Sequence, residues 1–324
     1  MPSIAETKRQ TISFVFPEHA SVNNRLSGGR LMDWIMQTAT INSALISRGI
    51  TVLGATDSID FLNPVMVGEI VTLESWVEYI GSSSMEIGVK VYSENPETGD
   101  QKLTTSSHLA FVAVDENGNP RKIAEKITPS NSEEMAIYTE AKKRKDDRLA
   151  QVAKRDTQAR NVIDETEIVR ERLETTKIVL PEDTFHGDFM AVGKLIMDID
   201  QAASILAMRY VKGVMITGSL DDLYFYSPIR IGDIITFKAG ITYVGQSSLE
   251  VGIKVLSENV MTGEQRHTCT AFLSFVHIAE DGSTKPVPEF DPETPEEKRL
   301  WRRALERKDF RSERVKGIRS NDEY

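Results

Sequence analysis

Tyr79-Ile80-Gly81-Ser82-Ser83-Ser84-Met85-Glu86-Ile87-Gly88-Val89-Lys90-Val91-Tyr92-Ser93-Glu94-Asn95 returns 164 residues later as Tyr243-Val244-Gly245-Gln246-Ser247-Ser248-Leu249-Glu250-Val251-Gly252-Ile253-Lys254-Val255-Leu256-Ser257-Glu258-Asn259. Between Tyr79 and Lys102, 14 of 24 residues are identical to their partners at this spacing. Working outward, the same offset pairs Pro64 with Pro228, Gly68 with Gly232, Gly29 with Gly193, Pro17 with Pro181 and Phe111 with Phe275. The copies thus align from Pro17 to Phe111 without an insertion. A solenoid unit runs about 20 to 50 residues, so this period marks duplication of a whole domain.

Within the quoted stretch, Val, Ile, Tyr and Met alternate with polar residues around Gly81-Ser82, the pattern of two strands joined by a turn. Further strand-like runs lie near 51 to 62, 69 to 80, 85 to 94 and 101 to 114, joined by the turn signals Asn63-Pro64 and Pro96-Glu97-Thr98-Gly99. A short strand opens each copy, at Ile12 to Phe16 and at Thr176 to Leu180. After a polar turn comes an apolar-rich helix, about Gly28 to Arg48 and about Val192 to Val211, whose Ala39, Ala44, Ala202 and Ala203 permit close backbone approach. The only apolar element available to each antiparallel meander within its copy is that helix, so the sheet is expected to curl around it, an α+β arrangement.

Ser132-Glu133-Glu134 through Arg144-Lys145-Asp146 resembles Pro295-Glu296-Glu297 through Arg307-Lys308-Asp309. Acidic residues open both stretches and basic residues close them, as a helix macrodipole prefers, with Ser132 or Thr294 as cap. Ile137 and Tyr138, like Leu300 and Trp301, are expected to dock these trailing helices. Their charges, Arg144 and Arg307 included, read first as a solvated face and second as receivers of phosphate. The expected organisation is a first domain over 1–150 with a trailing helix near 131–150, a linker over 151–174, and a second domain over 175–324 with a trailing helix near 294–312.

The 324 residues carry 40% apolar content, enough for two compact domains, and a formal charge of −10. That charge disfavours a general nucleic-acid binder. The single cysteine, Cys269, excludes an internal disulfide framework and reads as an inert thiol in a strand. No apolar stretch approaches the roughly 20 residues of a membrane span, and Met1 to Gln10 lacks the apolar core of a secretory signal. The expectation is a cytoplasmic protein with neither nucleic-acid nor membrane partner. The five histidines show no metal-site spacing, and no Gly-x-Ser-x-Gly elbow or P-loop occurs.

Pro17-Glu18-His19-Ala20-Ser21-Val22-Asn23-Asn24-Arg25-Leu26-Ser27-Gly28-Gly29-Arg30-Leu31-Met32-Asp33-Trp34-Ile35 resembles the start of hotdog-fold acyl-CoA thioesterases. Val67-Gly68-Glu69, Tyr79-x-Gly81-x-Ser83-Ser84-Met85-Glu86 and Phe111-Val112-Ala113-Val114-Asp115 extend the likeness, which covers about Thr11 to Lys122 and Thr175 to Pro286. The tandem arrangement is similar to acyl-CoA hydrolases in which two fused hotdog domains act as an intramolecular dimer. The resemblance implies two hotdog domains, each a long central helix wrapped by a curved antiparallel sheet. It also implies an acyl-CoA as partner and substrate, no resident cofactor, coenzyme A entering only as part of the substrate, and three tandem chains gathering into a trimer.

The resemblance places the catalytic acid seven residues after the second glycine, on Asp200 in the second copy but on Met36 in the first. The family's Asn, seven residues before the first glycine, falls on Ser21 and on Phe185. Because each family site joins the acid of one domain to the turn of the other, it implies one composite site, Asp200 facing Ser21, Asn23, Asn24, Gly28 and Gly29. The mirror image, Met36 facing Phe185, His186 and Val192, lacks the acid. Thioester hydrolysis needs a base or nucleophile beside the carbonyl carbon and donors for the oxyanion. Asp200, on the sheet side of its helix, is expected to be desolvated with a raised pKa, and can activate water or attack directly. Asp198, two residues away, reads as a surface carboxylate. Backbone amides near Gly28-Gly29 are candidate oxyanion donors. Asn24 also fits a left-handed turn position, and His186 fits a turn histidine. Gly81, Ser83, Ser84, Gly245, Ser247 and Ser248 lie where the family places nucleotide and pantetheine, although a tight turn alone explains the glycines. Besides a thioesterase, a non-catalytic acyl-CoA sensor and a hotdog enoyl-CoA hydratase are the alternatives.

Overall fold

The computed structural model describes residues 1–159 and 169–321. The first copy contains β1 (Arg9–Phe14), α1 (Gly28–Ser47), β2 (Thr51–Thr56), β3 (Ile59–Asp60), β4 (Ile70–Ile80), β5 (Ser84–Glu94), β6 (Gln101–Ala113) and α2 (Ser132–Ala159). The second contains β7 (Arg172–Ile178), a short hairpin of β8 (Thr184–His186) and β9 (Phe189–Met190), α3 (Val192–Val211), β10 (Met215–Leu220), β11 (Leu223–Tyr224), β12 (Ile234–Val244), β13 (Ser248–Glu258), β14 (Gln265–His277) and α4 (Pro295–Asn321). These are two hotdog domains in tandem, each sheet antiparallel and wrapped around its long helix.

The repeat extends to the irregularities of the sheets. Register slips between Leu53 and Ala55 and between Thr217 and Ser219, and again between Val77 and Tyr79 and between Ile241 and Tyr243. Each bulge adds a residue and local twist, which bends a flat sheet around a helix. Val71 and Leu73 of β4 alternate with more exposed neighbours, as do Ile235 and Phe237 of β12, and these strands pack against α1 and α3.

The run near 51 to 62 splits instead of forming one strand. β2 pairs with β6, whereas β3 crosses to the second sheet, where Ile59 and Asp60 pair with Leu220 and Ser219 of β10. Reciprocally, Leu223 and Tyr224 of β11 pair with Thr56 and Ala55 of β2. The sheet orders are therefore β1-β4-β5-β6-β2-β11 and β3-β10-β14-β13-β12-β7. Each sheet ends on a strand lent by the other copy, and α1 lies against α3. One continuous hydrophobic core results, with Met32, Ile35, Ile196 and Ile199 among its members. The opening strands lie earlier than expected, at Arg9–Phe14 and Arg172–Ile178. β7 thus starts inside the expected linker, and α2 runs into it as far as Ala159; 160–168 lie outside the described residues.

Both trailing helices are longer than read, and they cover the outer faces of the sheets. Asn131, not Ser132, caps α2, its Oδ1 accepting from the Glu134 N–H at 2.9 Å; Thr294 caps α4, accepting from Glu297 at 3.1 Å. Tyr138 meets Tyr79 with ring centroids 5.1 Å apart, and Trp301 meets Tyr243 at 4.6 Å. The arginines are not a solvated face. Arg144 donates to buried Glu78, Arg148 to buried Glu86 and to Asp57, and Arg307 and Arg311 to buried Glu250. Arg311 also holds Asp221 at 2.7 Å. Burial pushes the Asp221 carboxyl up to about 6 against the pull of Arg311. A carboxylate removed from water needs such a partner, so these pairs fix where the helices dock. Cys269 is fully buried, and burial pushes its thiol up, in keeping with an inert core side chain.

Candidate functional site

α1 and α3 run antiparallel: Gly29 meets Asp200 at one end of the contact, and Gly193 meets Asp33 at the other. Such closeness requires glycine. A Cβ on Gly29 would lie 2.9 Å from Asp200 Oδ2, and one on Gly28 would lie 2.7 Å from Thr217 Cβ. The paired glycines therefore let the start of one helix touch the acid-bearing turn of the other.

Asp200 is 5% exposed. Its Oδ2 accepts the Gly29 N–H at 2.9 Å, and its Oδ1 accepts the Thr217 hydroxyl at 2.7 Å. Burial raises its pKa to about 6, although both donors favour the ionised form and pull the other way. Thr217 reaches this position because it precedes the bulge at Gly218, which re-aims the strand at the helix. The α1 hydrogen-bond ladder begins with Leu31 N–H donating to Ser27 O at 3.0 Å. Hence the N–H groups of Gly28, Gly29 and Arg30 have no acceptor within the helix, and Gly29 gives its own to the acid.

The expected residues divide into two groups. Asp200, Gly28 and Gly29 come together, and Thr217, absent from the sequence reading, joins them. Comparison of the copies carried a signal for it, since Leu53 stands at the paired position. Ser21, Asn23 and Asn24 are not among the partners of Asp200. Ser21 is exposed, its hydroxyl 3.4 Å from the Arg25 carbonyl. Asn23 and Asn24 both adopt left-handed backbone, φ 67° and 56°, so the turn itself calls for Asn at these positions. Asn24 is exposed, whereas Asn23 buries an amide nitrogen with no hydrogen-bond partner among the described residues.

Asp198 is not a plain surface carboxylate. It pairs with Lys177 at 3.0 Å, and burial raises its pKa. Asp33 was also missed: it is 1% exposed, and its Oδ2 accepts from Gln37 at 2.9 Å. The His186 side chain lies outside the described residues. In the expected substrate loops, Gly81 N–H donates to Ser84 O at 2.8 Å and Gly245 N–H to Ser248 O at 2.7 Å. The carbonyls of Ser83 and Ser247 accept from Ala113 and His277 in the adjoining strands. The recurring double serine thus closes a hairpin through its backbone. Neither Gly81 nor Gly245 has positive φ; at Gly81 a Cβ would lie 3.0 Å from Lys145 Nζ, the movable end of a long side chain.

A buried carboxyl with a raised pKa, beside helix N–H groups that lack acceptors within the helix, suits attack on a carbonyl with charge developing on its oxygen. Comparisons with known proteins agree with that chemistry. The model of the thioesterase superfamily matches residues 23–99 and 199–264. The chain is 28% identical over 302 residues to the human cytosolic acyl coenzyme A thioester hydrolase, covering 88% of this chain and 78% of that protein. It is 40% identical over 143 residues to the uncharacterized acyl-CoA thioester hydrolase YkhA of Bacillus subtilis, covering 44% of this chain and 83% of the relative. Among solved structures, an acyl-ACP thioesterase from Bacteroides thetaiotaomicron shares the fold, with a TM-score of 0.54 at 14% identity over 84% of this chain and 99% of that one.

Proposed function

This chain belongs to the thioesterase superfamily and is an acyl-CoA thioesterase, and we propose that it hydrolyses its thioester at one composite site per chain, built on Asp200. The observation that carries this reading is the Asp200 carboxylate, buried between the Gly29 N–H and the Thr217 hydroxyl, both of which keep it ionised near neutral pH. The thioester carbonyl lies beside Asp200, with its oxygen toward the remaining N–H groups of Gly28 and Arg30, which stabilise the oxyanion. Ionised Asp200 then takes a proton from an attacking water, or attacks the carbonyl carbon itself and is freed by water afterwards. In either course the C–S bond breaks, the thiolate of coenzyme A leaves and a carboxylic acid remains. The donors are the protein's own, so the chemistry needs no resident cofactor.

Of the candidates for the missing family Asn, Asn23 is the one supported, because its buried amide nitrogen has no protein partner among the described residues and can donate to water or carbonyl. Gly81, Ser83, Ser84 and their counterparts Gly245, Ser247 and Ser248 are assigned to the coenzyme moiety, with the charges of Lys126, which donates to the Gly81 carbonyl, and of Lys145 beside the first loop to attract phosphate. A cytoplasmic location is supported by the name of the human relative. Self-association, as a trimer of tandem chains, is supported by apolar residues exposed at paired positions of the edge strands and their ends, Phe14 with Ile178 and Phe16 with Leu180. Light scattering at micromolar concentration tests it, a monomer of 36.3 kDa being the contrary outcome.

Thiol release from an acyl-CoA tests the site. Asp200→Ala is expected to lose about a thousandfold or more in kcat, within the range for removal of a reacting acid or base. Full activity in that variant would remove Asp200 from the mechanism.

A further inference from the structure

At the opposite end of the α1–α3 contact the paired positions carry different chemistry. Met36 stands for Asp200, Leu53 for Thr217, Val192 for Gly28, Ala191 for Ser27, Phe185 for Ser21 and Phe189 for Arg25. All six line one cavity of about 250 Å³. This is many times the roughly 30 Å³ that a water takes. The framework is otherwise retained. Gly193 still starts its helix against α1, and the bulge at Gly54 still places Leu53 as the bulge at Gly218 places Thr217.

Loss of catalysis alone accounts for loss of the acid. It does not account for exchange of a hydroxyl, a guanidinium and two serines for hydrocarbon around an open space. Interiors close-pack, and an apolar void forfeits the contacts of its lining atoms. Walls of this kind favour an apolar occupant. Phe185 is half exposed, so the cavity has a mouth. At the rim, the Arg230 guanidinium lies 4.5 Å over the Phe189 ring and donates to the Asn117 carbonyl at 2.8 Å, a cation within reach of an anionic head group. Gln37, Thr40, Ser227 and Thr268 add neutral polar groups to the lining, and no carboxylate belongs to it.

We propose that the mirror cavity is a second, non-hydrolysing site for an acyl chain with an anionic head, either a free fatty acid or an intact acyl-CoA. The proposed function supplies only the ligand class; the cavity and its lining stand apart from Asp200. Chain and head are held while the thioester faces methionine where the other end has Asp200; Asp33, buried against Gly193, is not part of the lining.

Equilibrium dialysis with two probes tests this: S-decyl-CoA, a thioether that cannot be hydrolysed, and decanoic acid. The wild-type protein is expected to bind a second equivalent per chain of at least one probe. Val192→Trp, which fills the cavity, is expected to reduce thioether binding to one, the remaining molecule reporting a folded working site. Should Val192→Trp fail to fold, Ala191→Phe, at the N-cap of α3, fills the same space. A second equivalent of the thioether removed by these changes assigns acyl-CoA; one seen only with decanoic acid assigns the free acid. A single equivalent with both probes, or a second that survives both substitutions, overturns the proposal. Thiol release by Asp200→Ala tests the working site separately, so either reading can fail alone.

Discussion

The two ends of the α1–α3 contact began as copies and now differ almost entirely in polarity. At one end an acid, a hydroxyl and two adjacent glycines meet; at the other a methionine, a leucine and a valine enclose a cavity. Backbone geometry is shared, since both ends use a glycine at the helix start and a bulge one residue after the paired strand position. A hotdog pair therefore supplies two equivalent cradles, and on the proposed reading side chains alone decide which of them does chemistry.

The largest expected effect comes from making the working end resemble its mirror at the acid. Asp200→Asn is expected to lower kcat about a thousandfold or more while stabilising the fold. The sign follows from linkage. Burial raises the folded-state pKa to about 6 from 3.8, so the folded protein binds more protons than the unfolded chain between these values. Stability consequently falls as pH rises through that window and stays lower above it, by about 3 kcal/mol. Asn carries no such loss, so urea melts at pH 8 should favour the variant and at pH 4 should not. Equal effects at both pH values would contradict a strained, buried acid.

Gly28→Val, copying Val192, comes next. Its Cβ would lie 2.7 Å from Thr217, which must move off Asp200, and activity is expected to fall about a hundredfold, as with loss of one precisely placed donor. Thr217→Val, which removes only the hydroxyl, should cost about tenfold, within the net worth of a hydrogen bond to a charged group. In the reverse direction, Met36→Asp returns an acid to the mirror. Leu53 offers it no hydroxyl and the surrounding walls are mostly hydrocarbon, so in an Asp200→Ala background thiol release should remain at background, and stability should fall by about 2 kcal/mol. Recovery of turnover there would break the comparison.

The period of the duplication made much of the fold legible. Both central helices begin where Gly28 and Val192 predict, since the 3.6-residue apolar pattern and the preceding turn agree. Strand exchange was not legible: Ile59-Asp60 and Leu223-Tyr224 are two-residue pairings, too short for any periodicity. The arginines of α2 and α4 were read as solvated because their partners, Glu78, Glu86 and Glu250, lie 57 to 66 residues away in sequence. Asp200 was found through a family position, whereas Thr217 was overlooked although the Thr-for-Leu difference between copies marked it. Asn24 as a turn residue was anticipated, and Asn23 proved to share that backbone. The asymmetry of a duplicated chain is thus its most readable chemical signal, provided every paired position is compared and not only those a family pattern names.

The pH dependence of kcat/KM for thiol release tests the account most directly, measured between pH 4.5 and 8 for wild type and Thr217→Val. With Asp200 as the reacting carboxylate, wild-type kcat/KM should fall about tenfold per pH unit below an inflection near 6. Because the Thr217 hydroxyl stabilises the ionised form, its removal should move that inflection to higher pH. A wild-type profile flat across this range, or an inflection that Thr217→Val leaves in place, would contradict the assignment of catalysis to Asp200.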